Sequence, residues 1–340
     1  MLAGYCTETR RMEVREVEKP RAAAGEVIVR VRHCGICGSD LHFFCGGFPP
    51  PPVCPGHEIA GEVAEVGAGV SRLRAGDRVA VEPLVVCGTC DPCRTGNYQL
   101  CPSFQVLGNT LDGGFAEFLR VPPYALFTLP DAIDFEVGSL TEPLAVAVHA
   151  LRLHPLELGD RVLILGAGTI GLMAVAAARA AGAGDIWTTA RHPQQAAAAS
   201  SLGATRVFVG SEGTAELSSV AHEQPVDLVV ETVGGHADTL NDAVHLVRRG
   251  GTVVVLGIFS TAPSINALAV VIKEVRLIGS MTYGRSGTRA DFDRALALLA
   301  QDPERFRSLI THRFTLAELQ KGFETAADKG SGSIKVTVRA

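Results

Sequence analysis

The first residues in this chain that could do chemistry are four closely spaced cysteines. Cys87, Cys90, Cys93 and Cys101 form a C-x2-C-x2-C-x7-C run that is interspersed with turn-forming residues. Four thiolates can enclose one zinc ion in a tetrahedron, and a site with four protein ligands leaves no open position for water. The spacing therefore predicts a structural zinc. A pair of disulfides and an iron–sulfur cluster are the alternatives, although the long gap before Cys101 departs from the usual iron–sulfur spacing.

A second group of possible metal ligands lies upstream. Cys37 is followed twenty positions later by His57 and Glu58. A thiolate, an imidazole and a carboxylate all suit zinc, and three protein ligands leave one position open, which is typical of a catalytic zinc. Such an ion acts as a Lewis acid on a carbonyl or an alcohol. Asp40 is placed to orient the ring of His57 through a hydrogen bond.

The third group is a glycine-rich turn, G-x-G-x-x-G at 166–171, which directly follows the apolar run 162–165 and opens an alanine-rich helical stretch. Glycines at these positions let the backbone approach a pyrophosphate, which binds at the positive end of the helix. A strand, a turn and a helix in this order make the motif specific. The predicted cofactor-binding residues of this turn are Gly166, Gly168, Thr169, Ile170 and Gly171.

The end of the next strand indicates which dinucleotide is bound. A strand that prefers NAD usually ends in Asp or Glu, which binds the ribose 2′-hydroxyl. Here the run 185–189 is followed by Ala190, Arg191 and His192, and no acid is present. The guanidinium of Arg191 suits a 2′-phosphate because it is planar and permanently charged. We therefore predict that NADP(H) is favoured over NAD(H).

Two kinds of element must position these groups. Residues 1–130 alternate short apolar runs, such as 26–32, 59–66 and 77–81, with Gly and Pro turns, which predicts a mixed β-barrel domain. From about 160, strands alternate with helices, which predicts an α/β domain with a parallel, doubly wound sheet. After about 283 the chain becomes helical and ends in a strand-like run at 334–338, which we expect to return to the first domain.

Composition and charge argue against several classes of function. The formal net charge is −5, so there is no electrostatic reason to bind nucleic acid. The first twenty residues are rich in charge, so no export signal is expected. Glycines and Arg179 interrupt the longest apolar stretch, so no membrane span is expected. Without export, clustered cysteines favour thiolate ligands in a reducing cytoplasm over disulfides.

Taken together, the motifs resemble those of the zinc-dependent medium-chain dehydrogenases, and most closely the sorbitol (polyol) and threonine dehydrogenase branch. The resemblance covers nearly the whole chain and rests on residues 35–42, 55–58, 87–101, 141–145 and 166–171. It implies a GroES-like catalytic domain made of 1–150 and 283–340, with the four-cysteine lobe at 87–101. It also implies an inserted Rossmann domain at 151–282 and an active site in the cleft.

The resemblance also implies roles for single residues. Cys37, His57 and Glu58 match the catalytic zinc ligands of the family. Glu142 matches a glutamate that contacts the zinc or its water in the polyol branch, and is a possible fourth ligand. Ser39 and His42 match positions that relay a proton, which suits a hydroxyl next to an imidazole that titrates near neutrality. Whether His42 or Glu142 completes the relay stays open.

The expected function is hydride transfer between NADP(H) and a secondary alcohol or polyol, or the corresponding ketone, with two zinc ions per chain. An NAD-dependent threonine- or butanediol-type dehydrogenase is the alternative, because Met281-Thr282-Tyr283 stands where the polyol branch often has Phe-Arg-Tyr. The family also suggests a homotetramer or dimer. The proline run 49–52 and Cys54 are unusual: the run is either a surface connector or a rigid loop that shapes the substrate pocket, and Cys54 is a candidate spare thiol near the metal.

Three other classes remain as alternatives at this point. They are a zinc or nucleotide sensor on the same fold, a zinc-free quinone reductase, and a nucleic-acid-binding zinc protein. The complete set of Cys37, His57 and Glu58 with Ser39 and His42 argues against the sensor, metal analysis separates the quinone reductase, and the acidic charge balance argues against the nucleic-acid-binding protein.

Overall fold

Nineteen strands run through the chain, of which the computed structural model describes residues 1–340. In chain order they are β1 (Leu2–Glu8), β2 (Arg11–Glu16), β3 (Val27–Gly35), β4 (Glu58–Val66), β5 (Arg78–Val81), β6 (Leu84–Val85), β7 (Gln105–Val106), β8 (Phe118–Val121), β9 (Leu126–Thr128), β10 (Arg161–Leu165), β11 (Asp185–Ala190), β12 (Arg206–Val209), β13 (Val226–Glu231), β14 (Val247–Val255), β15 (Arg276–Gly279), β16 (Arg285–Ser286), β17 (Arg289–Ala290), β18 (Ile310–Thr315) and β19 (Lys335–Arg339).

Twelve α-helices accompany the strands. They are α1 (Gly38–Phe44), α2 (Asp91–Arg94), α3 (Phe135–Gly138), α4 (Thr141–Leu153), α5 (Thr169–Ala180), α6 (Pro193–Leu202), α7 (Gly210–Glu223), α8 (Thr239–Leu246), α9 (Ala267–Lys273), α10 (Asp291–Leu299), α11 (Pro303–Arg307) and α12 (Leu319–Ala327). None of them has the length and apolar character that a membrane span requires.

The first of two structural units joins both ends of the chain, Met1–Glu142 and Gly284–Ala340. Its seven-stranded sheet has the order β18-β19-β3-β4-β5-β9, and β8 also pairs with β3. The last strand, β19, runs antiparallel to β3, with Thr337 opposite Gly35. The sequence analysis also assigned this C-terminal segment to the first domain.

The pairing of β3 with β4 brings the two parts of the upstream ligand motif to one edge of this sheet. The strands are antiparallel, and Gly35 at the end of β3 lies opposite Glu58 at the start of β4. Val29 and Val31 on β3 are completely or almost completely buried while Arg30 between them is exposed, so the period-2 pattern fixes which side chains face the core. Cys37 follows β3 and His57 precedes β4. The backbones of these two residues therefore lie close together at the same edge of the sheet.

The second unit, Pro143–Tyr283, contains a parallel six-stranded sheet. Its strand order is β12-β11-β10-β13-β14-β15, which is the order of a doubly wound dinucleotide fold with the switch point between β10 and β13. The central strands β10 and β13 are mostly apolar and buried, because helices cover both faces of such a sheet. The two sheets confirm the predicted α/β class, with a mixed β domain and a doubly wound domain.

Some predicted boundaries differ from the observed ones. The domain boundary predicted at 150 lies inside α4, because the first unit already ends at Glu142, the second residue of this helix. Helix α7 was not predicted, because its Gly, Ser and Thr residues weaken both helix propensity and apolar periodicity. It is held by tertiary packing, with Leu217 buried in the core of the second unit.

Candidate active site

The four cysteines of the predicted structural site converge in the first unit. Cys90 caps the N-terminus of α2, Cys93 lies in that helix, and the four sulfur atoms all lie within 4.8 Å of one another. The Sγ of Cys87 lies 3.9 Å from that of Cys93 and 3.6 Å from that of Cys101. A ZnS4 tetrahedron with bonds of about 2.3 Å has edges of about 3.8 Å. The sulfur positions therefore fit one zinc ion.

Local hydrogen bonds prepare one of these thiols for a metal. The backbone N–H groups of Thr89 and Cys90 and the hydroxyl of Thr89 donate to Cys87, and they lower the pKa of the Cys87 thiol to about 6. The thiolate is the form of cysteine that binds zinc. The turn between Cys87 and Cys90 thus stabilises the ionisation state that the site needs.

A separate cluster forms around His57. Ser39 Oγ lies 3.4 Å from Nε2 of the ring, and Asp40 Oδ1 lies 3.7 Å from Nδ1 on its other side. The other oxygen of Asp40 accepts a hydrogen bond of 2.9 Å from the backbone N–H of Cys37, which is the N-cap of α1. The start of α1 therefore supplies a thiol, a hydroxyl and a carboxylate to one imidazole, as the motif predicts.

The carboxylate of Asp40 is buried, and its Oδ1 has no hydrogen-bond partner. Burial opposes the charged form of His57, but the carboxylate of Asp40 and the thiolate of Cys37 outweigh it and raise the pKa of the ring well above its usual value. Surroundings that favour a proton on His57 also favour a divalent cation. The donor set and the orphaned oxygen behind the ring therefore fit a zinc ion bound by Cys37 and His57.

Glu58 is held by a residue that the sequence analysis missed. Both of its carboxylate oxygens lie 2.7 Å from Nζ of Lys335, which also donates to the carbonyl of Ile36 at 3.0 Å. Glu58 and Lys335 are each 1% exposed. Burial lowers the pKa of Lys335, but Glu58 and Cys37 outweigh it and the net shift is upward. Ligation of zinc by Glu58 stays a prediction, and it requires Glu58 to share its carboxylate with Lys335.

The remaining predicted residues lie near this cluster. Glu142, the second residue of α4, is 6% exposed, and its charge raises the pKa of both His57 and Lys335. His42 lies three positions after Ser39 on the same face of α1, and its ring packs 5.6 Å from that of Phe48. No hydrogen bond joins His42 to Ser39 in the structure, so the relay through His42 stays a prediction.

Cys54 is no reactive thiol in this structure. It is 1% exposed, and its Sγ donates to the carbonyls of Pro55 and Gly113. Burial and, second, the charge of Asp112 raise its pKa to about 12. The thiol therefore stays protonated near neutral pH and packs as a small core residue.

In the second unit, the glycine-rich turn forms the N-terminus of α5. Gly166 has φ +98, and a Cβ on Gly171 would overlap the carbonyl oxygen of Gly166. Gly168 is the N-cap, with no side-chain cap and open space around its Cα. Thr189 accepts a hydrogen bond of 2.8 Å from the N–H of Gly166 and holds the turn on β11. A helix start that is open in this way suits a pyrophosphate.

The residues after β11 form the edge expected to bind the adenosine ribose. Ala190 is the last residue of the strand, and the backbone N–H groups of Arg191 and His192 donate to Oε1 of Gln195 at 3.1 and 3.2 Å. This bond fixes the turn, while the side chain of Arg191 is exposed. The guanidinium is thus available for an anionic group at the carboxyl edge of the sheet.

Two known protein families match this chain, one in the first unit and one mainly in the second. Residues 23–131 match the family described as alcohol dehydrogenase GroES-like domain, and residues 169–301 match the family described as zinc-binding dehydrogenase. A sorbitol dehydrogenase of Bacillus subtilis is 34% identical over 99% of this chain and 97% of its own length.

Solved structures share the whole arrangement of elements. One is a zinc-binding dehydrogenase from Sinorhizobium meliloti bound to NADP, with TM-score 0.89 and 32% identity over 100% of this chain and 99% of that one. Another, from Escherichia coli CFT073, is described as a short chain alcohol dehydrogenase complexed with NADH, with TM-score 0.90 and 28% identity over 100% and 99%. Relatives of the same fold thus bind either dinucleotide.

Proposed function

Because the chain belongs to the zinc-dependent medium-chain dehydrogenases, in their polyol dehydrogenase branch, we propose that it transfers a hydride between NADP(H) and a secondary alcohol or polyol, or the corresponding ketone. The observation that carries the proposal is the convergence of Cys37, Ser39 and Asp40 on His57. The test is a hydride-transfer assay with NADPH and NADH against a panel of ketones and polyols. Absence of turnover with every pair would favour a sensor on the same fold.

Cys37, His57 and Glu58, with Glu142 as a possible fourth ligand, would hold the catalytic zinc, and the ion would supply Lewis acidity toward the substrate oxygen. The carboxylate of Asp40, 3.7 Å from Nδ1, would favour the proton on that nitrogen and leave Nε2, which Ser39 Oγ approaches to 3.4 Å, as the ligand atom. Ser39 Oγ lies on the Nε2 side of the ring, where it can accept the alcohol proton as the hydride leaves. His42, in the next turn of α1, would pass that proton to solvent.

We propose two zinc ions per chain, one at this cluster and one at the four cysteines. The sulfur spacing described above supports the second site. We also propose a cytoplasmic location, because a reducing compartment keeps the nine cysteines as thiols and thiolates.

The alternative substrate is a smaller diol, such as the one oxidised by a butanediol dehydrogenase. This alternative is supported by Thr282, which has φ +48 and a buried hydroxyl with no hydrogen-bond partner. A strained residue with an unsatisfied hydroxyl is typical of a ligand-binding position, and it carries no charge that could bind several sugar hydroxyls. The ratio of kcat/KM for 2,3-butanediol and for sorbitol distinguishes the two substrates.

Arg191→Ala is expected to weaken the preference for NADP over NAD. The exposed guanidinium would bind the 2′-phosphate in a charge-assisted contact, and its loss is expected to cost about 1–3 kcal/mol of NADP affinity while NAD affinity stays unchanged. The measurement is kcat/KM for both cofactors. Arg179→Ala, in the last turn of α5, removes the same charge from the same unit as a control. An unchanged NADP/NAD ratio would refute the assignment.

We also propose that the protein is a homo-oligomer, a dimer or tetramer, assembled through α9 and β15. None of the residues of α9 is buried, and Leu268, Val271 and Ile272 are 67%, 73% and 54% exposed. The strand that follows this helix in the chain, β15, is an edge strand with Leu277 40% exposed. Exposed apolar side chains on a helix and on an edge strand are typical of an interface.

Val271→Glu is expected to shift the protein toward the monomer in light scattering coupled to gel filtration. A charge buried against the apolar face of a second copy has no partner and opposes association. Val209→Glu is the matched control, because Val209 lies on β12 at the opposite edge of the same sheet and is 40% exposed. The interface assignment fails if both variants keep the mass of the unmodified protein.

A further inference from the structure

Glu231 is a completely buried acid in the middle of the parallel sheet, outside the residues discussed so far. It ends β13, with Leu165 of β10 on one side and Val255 of β14 on the other, and its relative exposure is 0%. A buried charge is costly unless it is compensated, so a carboxylate at this position needs a reason. The carboxyl edge of the sheet at this switch point is where a doubly wound fold binds its dinucleotide.

One oxygen of Glu231 is heavily used. Its Oε1 accepts hydrogen bonds from the backbone N–H groups of Val233 at 2.8 Å and Gly234 at 3.0 Å, and from the hydroxyl of Thr239 at 2.7 Å. Backbone N–H groups can only donate, so this oxygen acts as an acceptor. Bonds of this kind to an ionised oxygen are stronger than those between neutral groups. The carboxylate thus ties the turn after β13 to the start of α8.

The other oxygen, Oε2, has no hydrogen-bond partner. It is packed against Gly257, where a Cβ would overlap it and would also crowd the backbone nitrogen of Gly234. The turn after β13 and the turn after β14 are further joined by hydrogen bonds from Gly235 N to Ile258 O and from Ser260 N to Gly235 O. Glu231 is therefore enclosed between two turns at the carboxyl edge.

The turn that Glu231 holds packs directly on the phosphate-binding turn. The hydroxyl of Thr232 donates to the carbonyls of Leu165 and Gly166, at 2.7 and 3.2 Å. A Cβ on Gly166 would lie only 2.7 Å from Cγ2 of Val233, so that side chain covers the first glycine of the motif. Glu231 precedes Val233 in the chain and Thr239 follows it. The two are joined by the hydrogen bond from the hydroxyl of Thr239 to Oε1 of Glu231. A displaced Val233 would remove one of the contacts that hold Gly166, beside its hydrogen bonds with Thr189 and Thr232.

We propose that Glu231 is a positioning residue for dinucleotide binding, whose buried carboxylate holds the turn at Val233 and Gly234 against Gly166. This inference rests on the proposed function, because it assumes that the glycine-rich turn binds a dinucleotide. This role explains why an acid occupies the buried position. One oxygen of Glu231 accepts from three donors, which an apolar side chain would leave without partners in the interior. The residue acts through the turn, since its own oxygens are buried away from any ligand.

The test compares Glu231→Gln with the unmodified zinc-loaded protein. The amide keeps the shape but replaces the carboxylate with a weaker acceptor, so the turn at Val233 loosens. We expect the Kd for NADPH, measured by fluorescence titration, and the KM for the cofactor to rise about tenfold. The kcat at saturating cofactor and the KM for the alcohol are expected to stay within about twofold, a split that general damage to the fold would not produce.

Two further variants complete the experiment. Thr239→Val removes one of the three donors and is expected to raise the Kd for NADPH about threefold, and it decides the question if Glu231→Gln does not fold. Glu223→Gln, at the exposed end of α7, is the control and is expected to bind NADPH like the unmodified protein. If the unmodified protein binds neither NADPH nor NADH, the proposed function itself fails. If it binds and both turn variants bind equally well, only the role of Glu231 is overturned.

Discussion

Lys335→Met is expected to lower the free energy of unfolding by about 3–5 kcal/mol, the largest stability effect that we expect from a single substitution in this chain. The ammonium group contacts both oxygens of Glu58 at 2.7 Å, and both side chains are 1% exposed. Methionine fills similar space but leaves the carboxylate of Glu58 charged, buried and without its partner. Chemical denaturation, with the m-value compared, measures the loss.

A double-mutant cycle measures the interaction energy of Lys335 and Glu58 apart from the contributions of the residues around them. Lys335→Met combined with Glu58→Gln removes both charges, so the double variant is expected to recover a large part of the stability lost in the single one. Lys321→Met, an exposed lysine on the neighbouring helix α12, is the matched control and is expected to stay within about 0.5 kcal/mol of the unmodified protein. Equal stability of the unmodified protein and Lys335→Met would show that the ion pair contributes nothing.

Cys37→Ala is expected to lower kcat/KM by about a thousandfold and to remove one of the two zinc ions. The thiolate of Cys37 is one of the proposed ligands of the catalytic zinc, and an ion that polarises a substrate oxygen supplies several kcal/mol of barrier lowering. Elemental analysis of the purified protein, together with steady-state kinetics, checks both parts. The zinc at the four cysteines is expected to stay, because no atom of that site is changed.

Cys45→Ala is the matched control for this prediction. Cys45 is exposed and forms the C-cap of the same helix, α1, whose N-cap is Cys37. It is expected to keep two zinc ions per chain and full activity. A Cys37→Ala protein with unchanged zinc content and unchanged turnover would contradict the assignment of the catalytic site.

Local patterns were sufficient for the parts of the structure that depend on neighbours in the sequence. The glycine-rich turn, the run of strands and helices around it and the four-cysteine lobe each lie within short segments, so spacing and periodicity predict them. The proximity of Asp40 to His57 was also expected, because Asp40 lies in the first turn of α1, next to the predicted ligand Cys37.

Interactions between distant segments were not predictable in this way. Lys335 is 277 positions from Glu58, and only the pairing of β19 with β3 brings them together. The sequence held one local sign of this ion pair: Lys335 is a charged residue inside the otherwise apolar strand run 334–338. The bonds of Glu231 to the turn after β13 were missed for a different reason: a strand that ends in an acid looks the same in sequence whether the acid is solvated or buried.

The position of β19 determines which of the two units can fold first during synthesis. In the sheet of the first unit, β19 lies between β18 and β3, so the end of β3 at His33–Gly35 lacks a neighbour on one side until β19 is synthesised, although β8 already pairs with Val27–Arg30. The second unit is continuous, Pro143–Tyr283, and leaves the ribosome complete while the first still lacks its end. The buried carboxylate of Glu58 receives its counter-charge only when Lys335 emerges. Truncation that removes β19 would therefore leave a complete second unit attached to a first unit with an open strand edge, a form prone to aggregation.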